Sequence, residues 1–191
     1  MNHHNVWADS RALLCVVALT GCATAVDCPP VEHDARVVVL LDHGRHASLV
    51  IEDDAGTPIR YSYGDRRWYS DEDFSLRSGF AALFRPTPAV VTRIPIDAKP
   101  EPAAIARASG WVNEHVYGLN VDAGRADAFL HRLNQLFSDE TDGFTAPHPQ
   151  SYTALGNSNH RVAAWLAELG CDVGTRSPFS RWRTARQAAT D

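Results

Sequence analysis

Hydrophobic and polar residues alternate in blocks along this chain, and the first blocks predict a β-sheet. A continuous run of apolar, mostly β-branched residues at 36–41 is typical of a buried central strand. Further strands are predicted at 46–51, 59–63 and 89–94. The loop signal at 53–58 (Asp-Asp-Ala-Gly-Thr-Pro) predicts a hairpin between the second and third strands.

Apolar residues recur at helical spacing elsewhere, and these segments predict helices. They lie at 70–84, where Ser70 is a predicted N-cap, at 103–116, at 125–137, where Asp122 is the cap, and in the segment ending at Leu169. Residues 138–151 are polar and contain two prolines, so a loop is predicted there. The chain is thus expected to form an α+β domain.

The last helix is preceded by a polar turn, Gly156-Asn-Ser-Asn159, and closed by Gly170 as a predicted C′ residue. This pattern places Ser158 at the first helical turn, beside free backbone N–H groups and the positive end of the helix dipole. Such a position suits a nucleophile, because the N–H groups can stabilise an oxyanion. It also suits an ordinary N-cap, which is the more common role of a serine at a helix start, so the rest of the chain has to decide between the two interpretations.

Two histidines and an aspartate stand near the predicted hairpin. If Glu52 pairs with Ile59, the register places His46 across from Asp65. The spacing of His43 and His46 suggests a metal pair, but no third ligand follows at convincing spacing, and no metal site is predicted.

The N-terminal segment resembles the signal peptide of a bacterial lipoprotein. Residues 12–20 form an apolar stretch too short to span a bilayer, and Leu19-Thr-Gly-Cys22 resembles a lipobox. Cleavage before Cys22 implies a signal peptide over 1–21, a tether over 22–35, one domain over 36–180 and a tail over 181–191. Ala23, in place of Asp, favours the periplasmic face of the outer membrane.

Processing would leave only Cys28 and Cys171 in the mature chain. In an oxidising compartment they are a candidate disulfide, although two separate thiols remain an alternative. The formal charge of −5 and the sequence pI of about 6.0 argue against a nucleic-acid partner. Nothing in the sequence calls for a cofactor.

The order of these motifs resembles the circularly permuted NlpC/P60 group of papain-like proteins. His43-Gly-Arg-His46 and Tyr63-Gly-Asp-Arg-Arg-Trp-Tyr69 are similar to the early half of that family's pattern. Asn157-Ser-Asn-His160 with Val162-Ala-Ala-Trp-Leu166 is similar to the late half. The resemblance spans roughly residues 37–169 and implies a small antiparallel sheet packed against several helices. Ser158 stands where the family keeps its catalytic Cys.

The resemblance implies a hydrolase or acyl-transfer enzyme acting on an amide or ester, with a cell-wall peptide or a lipid as substrate. Ser158 would be the nucleophile, His46 the general base and Asp65 the residue that orients it. His160, two residues after Ser158, is expected to point away and to be a structural or rim residue. The alternative is a binding module that kept the papain-like cleft after losing the thiol.

Overall fold

The computed structural model describes residues 23–69, 85–110, 112–137, 143–175 and 181–184. Its strands are β1 (Thr24–Asp27), β2 (Ala35–Asp42), β3 (Ala47–Glu52), β4 (Pro58–Asp65), β5 (Thr87–Pro95), β6 (His115–Asp122), β7 (Thr145–Tyr152), β8 (Asp172–Val173) and β9 (Trp182–Thr184). Its helices are the single turn α1 (Arg66–Tyr69), α2 (Pro102–Ala108), α3 (Ala123–Asn134) and α4 (Ser158–Glu168).

Six strands form one antiparallel sheet in the order β6-β2-β3-β4-β5-β7. The predicted buried strand, β2, is central and pairs with β6 and β3. Strand ends converge at one end of this sheet, which we call the histidine end because His43 and His46 lie there. It is formed by Asp42, Ala47, Asp65, Thr87, His115 and Tyr152.

Both faces of the sheet are covered, which explains the nearly continuous apolar runs in its central strands. On one face α3 and α4 pack through Phe129, Trp165 and Leu166 onto residues such as Leu49 and Tyr61. On the other face Ile105 of α2 belongs to a smaller core. The other buried members of that core are Val39, Leu41, Val50 and Ile96.

A second, three-stranded sheet has the order β8-β1-β9. It contains residues that the sequence assigned to a tether and a tail: Thr24–Asp27 pairs with β8 and β9, and Trp182 is 2% exposed. The predicted disulfide between Cys28 and Cys171 is confirmed, with Cα atoms 4.1 Å apart. It joins the segment after β1 to the end of α4, so the folded body begins well before residue 36.

Two predicted elements are corrected by the structure. The helix predicted over 103–116 ends at Ala108, because Gly110 adopts φ +70° and the chain then enters β6. The predicted loop over 138–151 contains an edge strand, β7, which includes Pro147 and Pro149. Proline is tolerated at a sheet edge because the missing N–H can face away from the neighbouring strand. The helix predicted at 70–84 lies outside the described residues.

The structure confirms a mixed α+β class with a mainly antiparallel arrangement. The main sheet, with its six strands, is larger than the small sheet that was predicted. None of the helices in the described ranges is both long enough and apolar enough to cross a membrane.

Candidate functional site

Helix α4 begins at Ser158, where the sequence predicted a first helical turn. Asn157 is the N-cap, and its side-chain oxygen accepts hydrogen bonds from the backbone N–H groups of Asn159 (3.1 Å) and His160 (3.3 Å). The helix is followed by Gly170 at φ +93°, a left-handed conformation typical of a C′ glycine. The capping role at this helix start thus belongs to Asn157, and Ser158 is the first helical residue.

The Ser158 hydroxyl is enclosed by protein. Ser158 is 0% exposed, and its Oγ has no hydrogen-bond partner among the described residues. Arg161, one turn later on α4, lies 5.1 Å from the centre of the Tyr63 ring and donates a hydrogen bond to the Gln150 side chain. Packing of α4 against β3 and β4 thereby encloses the first turn. No hydrogen bond joins the Ser158 hydroxyl to His46.

The start of α4 nevertheless lies close to the loop that carries the histidines. The side-chain amide of Asn159 donates a 3.3 Å hydrogen bond to the backbone carbonyl of Arg45. Arg45 directly precedes His46, which leads into β3. The structure therefore brings the two halves of the predicted site into the same neighbourhood.

His46 stacks on His43, with ring centroids 5.8 Å apart and an interplanar angle of 24°. Burial, with a smaller contribution from charge repulsion by His43 and Arg60, lowers the pKa of His46 to about 3. His46 is therefore neutral at neutral pH and binds a proton only weakly.

His43 is bonded to a serine that the sequence analysis did not select. Its Nε2 lies 2.9 Å from the Ser48 hydroxyl and its Nδ1 lies 3.2 Å from the backbone carbonyl of Val112. A carbonyl only accepts, so Nδ1 carries a proton, and in the neutral ring Nε2 accepts from Ser48. Ser48 is 0% exposed, so this pair fixes the orientation of His43 and offers no nucleophile to a substrate.

The predicted hairpin register is wrong by one residue. Ile51 pairs with Ile59, and Glu52 pairs with Pro58, so continuing the register places His46 opposite Gly64. Because side chains alternate between the faces of a strand, Asp65 falls on the face of Tyr63 and not across from His46. The prediction that Asp65 orients His46 depended on that register, and the observed register does not support it.

Asp65 is instead bound within its own part of the sheet. One carboxylate oxygen accepts a hydrogen bond from the Thr87 hydroxyl, and the other accepts from the backbone N–H of Arg67 at 2.8 Å. Thr87 pairs with Tyr152 across β5 and β7, and burial, followed by the negative charges of Asp65 and Tyr63, raises the pKa of Tyr152 to about 12. Asp65 joins β4, β5 and α1.

A second buried carboxylate, Asp42, organises the histidine loop. It is 0% exposed and accepts hydrogen bonds from the backbone N–H groups of Gly44 (2.9 Å) and Trp182 (3.2 Å). Gly44 has φ +85°, and a Cβ atom there would collide with the Glu114 carboxylate. The sequence does show Asp42 as an acidic residue at the end of a buried apolar strand, and this pattern could have drawn attention to it. Its hydrogen bond with the remote Trp182, however, has no signature in the local sequence.

His160, expected at the rim, belongs to the cap of α4. Its Nδ1 lies 3.0 Å from the Asn157 side-chain oxygen, so it supports the helix start. Within the described ranges, no group of three or more His, Cys, Asp or Glu residues is arranged to hold a metal ion.

Comparison of the chain with protein-family models, curated proteins and solved structures finds no match. The functional interpretation therefore depends on the residues and geometry described above.

Proposed function

We propose that this chain is a lipid-anchored protein of the bacterial cell envelope, with a permuted papain-like core that binds a ligand without hydrolysing it. The observation that supports this most is the state of Ser158. Its hydroxyl is buried and has no hydrogen-bond partner in the part of the chain that the structure describes, whereas a serine nucleophile needs a base within hydrogen-bond reach. The serine hydrolase that the resemblance implies would need this contact, and Ser158 does not make it.

The backbone groups around Ser158 point to the same conclusion. An oxyanion hole needs N–H groups that are free to bind the developing charge. The N–H groups of Asn159 and His160 are both bonded to the Asn157 side chain. An oxyanion beside Ser158 would have to compete with this cap for them.

The electrostatics of His46 also disfavour catalysis. A general base works best when its pKa lies near the operating pH. With a pKa of about 3, His46 would be a poor acceptor for a serine proton at neutral pH. The predicted compensating group, Asp65, is bonded to Thr87 and Arg67 instead.

The envelope location is supported by two features. The Leu19-to-Cys22 lipobox predicts lipidation of Cys22 and delivery to the periplasmic face of the outer membrane. The Cys28–Cys171 disulfide is typical of an oxidising compartment such as the periplasm. A membrane lipid or a peptidoglycan peptide is then the expected class of ligand.

A serine-directed probe tests the absence of catalysis. We expect that a fluorophosphonate will not label the full-length, disulfide-bonded protein at Ser158, as read by peptide mass spectrometry. Ser158→Ala is the matched control for background labelling. Labelling of the wild type at Ser158 that disappears in Ser158→Ala and in His46→Ala would overturn the binding-module proposal and restore the hydrolase.

A further inference from the structure

Strand β1, which follows the predicted lipidation site Cys22 in the sequence, begins at the histidine end of the sheet. Strand β1 begins at Thr24, whose N–H donates a 2.7 Å hydrogen bond to the carbonyl of Arg181. Thr24 pairs with Trp182, and Trp182 is bonded to Asp42 at the end of β2. Ala23 is the one residue between Cys22 and Thr24, so a lipid on Cys22 would be attached two residue steps, at most about 7 Å of chain, from this strand end.

A linker this short restricts how the protein meets the membrane. A long tether would let any face approach the bilayer, whereas a lipid on Cys22, with Ala23 as the one intervening residue, would hold the histidine end at the surface. From Thr24, β1 runs away from this end to the Cys28–Cys171 disulfide after α4. The disulfide and the pairing of β1 with β8 and β9 prevent the strand from acting as a spacer.

Exposed charged side chains are distributed unevenly between the histidine end of the main sheet and its opposite end. Among the described residues, exposed arginines gather next to the strand ends of the histidine end: Arg45, Arg66, Arg67, Arg85 and Arg181. Glu114 is the one exposed carboxylate described beside them. The opposite end carries the exposed carboxylates Asp34, Asp54, Asp97 and Asp122 together with the exposed cations Lys99 and Arg125. The described residues at this end are thus mostly basic although the chain as a whole has a net charge of −5, and arginines near an anionic bilayer are attracted to its phosphates.

Exposed aliphatic side chains lie at this end as well. Val112, whose carbonyl accepts from His43, is 86% exposed, and Leu155, in the turn before α4, is 78% exposed. Apolar side chains flanked by arginines are typical of surfaces that enter the head-group region of a bilayer. Phe144 is 56% exposed at the opposite end, before β7, and offers a matched comparison.

We propose that the histidine end of the sheet docks on an anionic phospholipid bilayer, with Val112 and Leu155 inserted among the head groups and the arginines facing their phosphates. This inference rests on the lipid anchor of the proposed function and specifies its ligand class. The loop of His43 and His46 and the start of α4 then face the membrane. The ligand of this region is a phospholipid head group and not a peptide of the peptidoglycan.

Site-specific photocrosslinking tests this orientation. The full-length protein is processed in cells and reconstituted in phosphatidylethanolamine–phosphatidylglycerol vesicles, with a benzophenone amino acid in place of Val112, Leu155 or Phe144. We expect phospholipid adducts at positions 112 and 155 and no adduct at 144 above the unirradiated sample. Phosphatidylcholine vesicles serve as the control for charge, and adducts at 112 and 155 should decrease there.

The outcomes separate the docking from the anchor. Acylated Cys22 together with phospholipid adducts at 144, or with equal adducts at all three positions, overturns the docking and leaves the anchor intact. Peptidoglycan adducts at 112 and 155 in whole cells overturn it in favour of the polymer. Absence of acyl groups on Cys22 by mass spectrometry overturns the anchor and, with it, the docking.

Discussion

The disulfide should contribute much of the stability of this fold, because it closes most of the chain into one loop. Cys28 and Cys171 are 143 residues apart in sequence. For a loop of this length, the chain-entropy model gives about 5 kcal/mol, and measured values for native disulfides are usually about 2–5 kcal/mol. Cys28 is the better residue to replace, since it is partly exposed whereas Cys171 is buried in the main core. We expect Cys28→Ser to lower the free energy of unfolding by about 3–5 kcal/mol.

Urea denaturation of the oxidised wild type, the reduced wild type and Cys28→Ser measures this loss. The last two should agree, because both lack the cross-link and keep the packing of Cys171. The N-terminal sheet should loosen first, so amide exchange at Val26 should accelerate more than exchange at Leu40. A difference between oxidised and reduced protein below about 1 kcal/mol would refute the argument from loop closure.

Two further predictions concern the histidine end and the cap of α3. Because the pKa of His46 is about 3 when folded and 6.5 when unfolded, the unfolded chain binds the extra proton. The His46 contribution is complete above pH 6.5 and is lost as pH falls toward 3. Between pH 7 and pH 5, the wild type should therefore lose up to about 2 kcal/mol of its free energy of unfolding through His46, and His46→Gln should not show this loss. Urea denaturation at the two pH values measures the difference, and the same pH dependence in both proteins would contradict the prediction. Asp122 accepts a 2.9 Å hydrogen bond from Arg125 N–H, so Asp122→Ala should cost about 1 kcal/mol by thermal unfolding, while Asp122→Asn should keep the cap.

Elements were predicted correctly where the residues that define them lie close together in the sequence. The apolar run of β2, the Asp122 cap of α3 and the Gly170 that follows α4 each have a signature within a few residues, and the structure has all three. Strand β6 was missed although Tyr117, Leu119 and Val121 alternate with exposed residues, because the helical pattern before Gly110 was extended too far.

The hairpin register could not be deduced because alternation carries little information when both faces of a sheet are buried. Residues of β3 supply both cores: Leu49 packs toward α4, and Val50 packs toward α2. Apolar residues therefore occupy both faces, and a slip of one residue leaves the pattern unchanged. That slip separates Asp65 from His46. Likewise, the burial of Ser158 depends on the packing of α4 against remote strands.

The reactivity of a thiol at position 158 tests the absence of a catalytic pair most directly. If His46 does not activate this position, burial should raise the pKa of the thiol in Ser158→Cys above its usual 8.5, because desolvation disfavours the thiolate. The other cysteines of the mature protein are in the disulfide or, by prediction, acylated. The rate of iodoacetamide alkylation against pH, followed at residue 158 by mass spectrometry, should therefore be slow at neutral pH and rise only in alkaline solution. Rapid alkylation that persists below pH 6 and is abolished by His46→Ala would show a thiolate–imidazolium pair and contradict the account.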